Sequence, residues 1–193
     1  IPDSVTHLTF EDCRSYTDIP ISVTHLTFGI YYNRQIVIHN SVTHLTFGQY
    51  YNQPTTIPNS VTHLTFGWHY NQPTTIPNSV THLTFGQDYN QSTTIPNSVT
   101  HLNFGLYYNQ PTILPDSIVE LTFGNRYNQP TVFSEGITHL TFSPDYGTYN
   151  QQNTHLPNSI KHLILSAKFN QPIILPNSLT HLTFGQDYNQ KTI

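Results

Sequence analysis

Val61-Thr62-His63-Leu64-Thr65-Phe66-Gly67 carries the architecture of this chain. Polar His63 and Thr65 alternate with apolar Leu64 and Phe66, the pattern of a short strand buried on one side. The stretch recurs along the chain, and its His falls at His7, His25, His44, His63, His82, His101, His139, His162 and His181. From His25 to His139 the step is 19 residues, with Glu120 holding the phase where a His is expected. The step before that run is 18, and the two after it are 23 and 19. Such a fixed period is the mark of a solenoid, in which each coil buries its apolar edge against its neighbours.

The flanks of the stretch complete a coil. Ile57-Pro58-Asn59-Ser60 ahead of it reads as a turn into the strand. Gly67 behind it suits a tight bend, where a positive φ is expected. Tyr70-Asn71-Gln72-Pro73-Thr74-Thr75 has no helical period and reads as extended or polyproline-like. A helix is excluded there because an interior Pro costs about 3 kcal/mol. The expectation is therefore an all-β solenoid, 1–193, of about ten coils, with parallel short strands on its concave face and extended segments behind. It should be thinner and less curved than a solenoid backed by helices. Leu64, Phe66 and Tyr70 each head a ladder that runs through the stack. Asn71 and its equivalents are expected to be buried amides bonded to the backbone of the next coil. Gln72 and its equivalents carry only a weak reading, as solvent-facing or turn-stabilising residues.

Leu-x-x-Leu-x-Leu-type spacing followed by Asn resembles a leucine-rich repeat. The unit Ser-Val-Thr-His-Leu-Thr-Phe-Gly, then Tyr-Asn-Gln-Pro, then Ile-Pro-Asn-Ser, resembles the FNIP repeat more closely, and Phe169-Asn170-Gln171-Pro172 matches that family's naming stretch. The resemblance covers essentially the whole chain. Two departures stand out: the block is a few residues shorter than the usual unit, and Tyr replaces Phe at most Phe-Asn positions, adding a hydroxyl that needs a partner. The family occurs mainly in social amoebae and giant viruses, and its members often carry an F-box. The resemblance thus implies a substrate-recruiting arm of an F-box-type ubiquitin ligase component. No F-box lies in these 193 residues.

Composition narrows the function. Charged residues make up 8% and the net charge is −4, so there is no basic patch to grip nucleic acid. There is no apolar run long enough to cross a membrane. A lone Cys13 suits a reducing compartment, hence an expected cytoplasmic location, the host's if the source is viral. The absence of Met, and block-matching ends without polar caps, lead us to expect a fragment of a longer protein and end-to-end self-association through its terminal coils. No recurrent carboxylate pair, nameable triad or phosphate-binding Gly loop points to an enzyme. No cofactor is implied.

The outward rows hold the candidate contacts. Nine of the twelve His lie on one row of the concave face, from which His63, His82 and His101 are candidates for binding a protein partner. A metal strip is the weaker reading, because no Cys and almost no carboxylate completes a ligand set. Protonation of all twelve His would move the formal charge from −4 to +8, so a pH response is a second reading. The plainest origin of the row is copying of a strand-tolerant residue by repeat duplication. The two residues after each Gly vary from coil to coil and should line one rim of the concave face. Tyr31, Tyr50, Trp68, Tyr107 and Arg126 are the candidates there, since Tyr, Trp and Arg dominate binding hot spots. Three extra residues before Tyr149 are expected to project as a loop.

Overall fold

The computed structural model describes residues 1–11, 18–152 and 154–191. Cys13, Thr192 and Ile193 lie outside the described residues. Ten short strands, β1 (His7–Phe10), β2 (His25–Phe28), β3 (His44–Thr46), β4 (His63–Thr65), β5 (His82–Thr84), β6 (His101–Asn103), β7 (Glu120–Phe123), β8 (His139–Phe142), β9 (His162–Ile164) and β10 (His181–Thr183), form one parallel sheet in chain order. Each strand heads a coil of the same number. Register follows the repeat: His63 pairs with His82, Leu64 with Leu83 and Thr65 with Thr84. The described residues contain no helix, and the described stretches between strands hold no regular secondary structure, in keeping with the prolines that most of them carry.

Five ladders rather than three make the core. Leu64 and Phe66 point inward from the strand, and Tyr70 packs on Phe66 with ring centroids 4.2 Å apart. Two further rows close the coil: Val61, just before the strand, and Ile57, at the start of the turn, are both buried. Phe47, Phe66 and Phe85 stack at 5.7 Å between successive centroids, and Tyr51, Tyr70 and Tyr89 at 6.3 Å. Burying each such side chain contributes roughly 1.5–3 kcal/mol, and stacking adds about 0.5–1.5 kcal/mol per aromatic pair. In four coils the Tyr hydroxyl, extra relative to Phe, finds its partner four residues on: Tyr51 with Thr55, Tyr70 with Thr74, Tyr108 with Thr112 and Tyr127 with Thr131. Burial, eased a little by that Thr, pushes the Tyr51 and Tyr127 hydroxyls up to about 12. The last coil has one neighbour, and its Phe184 is 38% exposed where Phe66 is 3%.

Three polar devices tie coil to coil. The Pro58 carbonyl accepts the Val61 N–H at 3.1 Å and closes the expected turn, while Ser60 Oγ donates to the Val42 carbonyl of the preceding coil at 2.7 Å. Asn52 Oδ1 accepts the Asn71 N–H at 3.0 Å, and Asn71 Oδ1 accepts that of Asn90 at 3.0 Å. These amides are half-buried or exposed rather than buried, because they sit at the wet edge of the coil. The Gln beside each one also bridges coils. Gln91 Nε2 donates to Asn71 Oδ1 at 3.1 Å and to the Asn71 carbonyl at 3.2 Å.

Gly67 differs from its sequence reading. It does not adopt a positive φ; its need is space. A Cβ there would lie 1.8 Å from the Gly48 carbonyl oxygen of the preceding coil, and the same approach recurs at Gly86 against Gly67. Coil 9 carries Ser166 at this position, fully buried and donating to the Tyr149 carbonyl at 2.6 Å. Its room comes from the insertion in coil 8. There Gly147 faces Ser166, and a Cβ on Gly147 would come within 2.7 Å of the Ser166 Cβ.

Candidate interaction surface

Two adjoining surfaces hold the candidate residues: the outer side of the strands and the turn that follows each strand. On the strands, alternation throws His63 and Thr65 outward as Leu64 and Phe66 turn in. In-register pairing then stacks the imidazoles. Six run unbroken from His7 to His101 with centroids 4.1–4.2 Å apart, and His139, His162 and His181 form a second stack at 4.1–4.3 Å. Glu120 separates them, its Oε1 3.6 Å from His101 Nε2. The structure thus places His63, His82 and His101 side by side.

Except at His162, which follows Lys161, a Thr before each His of the row fixes its ring. Thr62 Oγ1 lies 3.0 Å from His63 Nδ1 and 3.2 Å from the Thr43 carbonyl, and the same pair of contacts is made by Thr24, Thr43, Thr81 and Thr100. A hydroxyl can donate to Nδ1, or accept from Nδ1–H while donating to the carbonyl, so one geometry serves either protonation state. Burial, reinforced by the neighbouring imidazoles, lowers the pKa of His25, His63 and His162 below the usual imidazole value. His82 is lowered by burial and by His101, with Glu120 opposing. The parallel stack gives no convergent ligand set, and among the described residues no group of three His, Cys, Asp or Glu side chains is placed to hold a metal ion.

The turn row is built on a rigid backbone. Tyr70 N–H closes the turn onto the Gly67 carbonyl at 3.1 Å, and each turn bonds to the one before it: Tyr50 N–H to Ile30, His69 to Gln49, Asp88 to Trp68, Tyr107 to Gln87 and Arg126 to Leu106, all at 2.9 Å. Tyr31, Tyr50, Trp68, Tyr107 and Arg126 are all exposed. They fall at the two turn positions after each Gly. Tyr31, Tyr50, Tyr107 and Arg126 take the second, and Trp68 takes the first, beside His69. Along the second position Tyr31 stacks on Tyr50 at 5.5 Å, Tyr50 on His69 at 4.9 Å, and His69 Nδ1 meets Asp88 Oδ2 at 2.7 Å. Farther along, the Arg126 guanidinium lies 5.9 Å from the Tyr107 ring centroid. His69 and Asp88 were visible in sequence as variable residues, but their pairing was not, because it joins positions 19 apart. The coil 8 insertion projects from the same row, with Tyr146 77% exposed and Lys168 N–H bonded to the Gly147 carbonyl. The back of the solenoid also exposes apolar side chains, at Val37, Ile113, Val132 and Ile174, but Thr56, Thr75 and Thr94 interrupt the row.

A helix-free stack of parallel strands, one per repeat, with an inward Leu ladder and an Asn ladder, is a leucine-rich-repeat-type β-solenoid. The sequence profile of the FNIP repeat matches residues 17–50, 37–67, 51–88, 70–107, 89–126, 108–134, 149–187 and 169–193, and the chain belongs to that repeat family. Among solved structures it is similar to CroV588, described as a novel circular LRR protein and coming from a giant virus. Identity to it is 44% and the TM-score 0.83, over 99% of this chain and 32% of that one. The chain therefore spans about a third of the length of this neighbour. No curated protein matches the chain.

Proposed function

We propose that this chain is a protein-binding module whose strand face and adjoining turn row take one partner protein. The observation that carries the reading is the turn row itself: exposed, non-identical aromatic and charged side chains held on a backbone bonded coil to coil at 2.9 Å. A preorganised row of this kind loses little freedom on binding, and Tyr, Trp and Arg are the residues that concentrate binding energy. The strand face beside it repeats almost unchanged and offers a broad polar floor. Extension to the substrate-recruiting arm of an F-box-type ubiquitin ligase component rests on the family alone.

The test is a pull-down from lysate of the source or its host, read by mass spectrometry, with the wild-type chain beside Trp68→Ala, Tyr107→Ala, Arg126→Ala. All three side chains are exposed, so the variant should keep its fold. A protein captured by the wild type and lost by the variant supports the reading. Capture of nothing by either chain refutes it and favours an architectural solenoid, which light scattering across concentration would then examine for self-association.

A further inference from the structure

Two departures from the repeat meet on the strand face. The outward position after Leu is Thr in β5 and β7 but Asn103 in β6, and the marker position is His in every strand except β7, where it is Glu120. The two lie on adjacent strands, whose register sets His101 opposite Glu120 and Asn103 opposite Thr122. Around them the face is hollowed into a shallow depression of about 190 Å³, lined by His82, Thr84, His101, Asn103, Glu120 and Thr122. That volume holds several waters or one side-chain head group.

The depression carries one negative charge and several acceptors, beside the Asn103 amide N–H and the Thr84 and Thr122 hydroxyls. Glu120 is the one carboxylate in the ten strands, and its side chain is 51% exposed. Asn103 adds an exposed amide oxygen. The Thr81 and Thr100 hydroxyls lie 2.9 and 2.8 Å from His82 and His101 Nδ1, and each also reaches a carbonyl at 3.2 Å. With the Thr81 hydroxyl donating to its carbonyl, His82 Nδ1 carries the proton and its Nε2 lone pair is free to accept, whereas His101 Nε2 faces Glu120 Oε1 at 3.6 Å. One full negative charge with several neutral acceptors complements a cation bearing several N–H donors. The same two coils carry Tyr107 and Arg126 on the turn row, so this depression adjoins the part of that row proposed for partner contact.

We propose that the depression around Glu120 and Asn103 is a seat for one cationic side chain, lysine or arginine, projecting from the partner protein. The proposal rests on the protein-binding reading above and deepens it: the seat fixes where along a nearly uniform stack the partner registers. Glu120→His and Asn103→Thr restore the residues that the other coils carry there, so they remove the seat at sites where the fold already accepts the replacement.

The test is an NMR titration of the full chain at pH 7.5 with N-acetyl-arginine methylamide and N-acetyl-lysine methylamide, with the neutral citrulline analogue as control. Saturable shifts confined to His82, His101, Asn103 and Glu120 are expected with a cationic probe and not with citrulline. Glu120→Gln should weaken the binding about tenfold or more, since a charge-assisted bond is lost, and Glu120→His should abolish it. Which cation binds more tightly identifies the preferred side chain. Equal shifts with citrulline, or unchanged binding in Glu120→His, overturn the seat. A partner captured equally by wild type and by Glu120→His, Asn103→Thr also overturns it, while leaving the protein-binding reading in place. Seating of the probes with no partner captured leaves the seat as a cation site and removes the protein-binding reading.

Discussion

Asn71→Ala tests the polar spine of the solenoid. Asn71 Oδ1 accepts two bonds from the next coil, Asn90 N–H at 3.0 Å and Gln91 Nε2–H at 3.1 Å. Truncation removes both. The Asn90 amide is left to water, which reaches it at this exposed edge, and Gln91 keeps its second bond, to the Asn71 carbonyl at 3.2 Å. At about 0.5–1.5 kcal/mol net per bond, with the Gln91 share partly retained, the loss should be about 1.5 kcal/mol. For a chain of this size that is a fall in Tm of roughly 3–6 °C. Asn71→Asp keeps an acceptor oxygen in place and should stay within about 0.5 kcal/mol of wild type at pH 7. Urea unfolding is the assay, followed by far-UV circular dichroism and by fluorescence of Trp68, the single tryptophan, which shares coil 4 with Asn71. Coincident transitions would establish that coil 4 unfolds with the rest of the stack. The reasoning fails if Asn71→Ala costs under about 0.3 kcal/mol, or if Asn71→Asp is as damaging as Ala, since the shared acceptor is then not what matters.

Gly67→Ala should be worse than Asn71→Ala, costing about 3 kcal/mol or more, because the new methyl would sit 1.8 Å from a backbone oxygen that cannot rotate away; thermal melting checks it, and a loss below about 1 kcal/mol would refute the close-approach account. Acid should weaken the fold. His25, His63, His82 and His162 have lowered values in the folded chain, so the unfolded chain takes up protons first: stability is full above pH 6.5 and falls as pH drops below it toward those lowered values. Melts between pH 7.5 and 5 report this, and a flat profile or a gain at acid pH contradicts it. Glu120→His joins the six-ring and three-ring stacks and should steepen the same profile, because it replaces a carboxylate by another mutually repelling imidazole.

The period, the strand and the three aromatic and leucine ladders were legible in the residues because identical blocks can only stack in register. Leu64 must then meet Leu83, and Phe66 must meet Phe85. The Tyr-Asn segment was legible as non-helical because proline forbids the helix. The turn row was visible as variation at the two positions after Gly, though not the contacts along it, since those join residues 19 apart. Three features needed coordinates. Gln91 is within reach of Asn71 only because the coil brings together residues 20 apart. Gly67 is required by the distance between coils and not by its own dihedral angles, so its composition signal pointed to the wrong cause. Glu120 stood out in the residues as the one marker position without His, but Asn103 did not stand out beside it; the structure shows both lining one depression. Periodicity dictates which rows exist, because every coil solves the same packing problem. Where two exceptions fall relative to each other is a matter of distance across the stack, and that belongs to the folded chain.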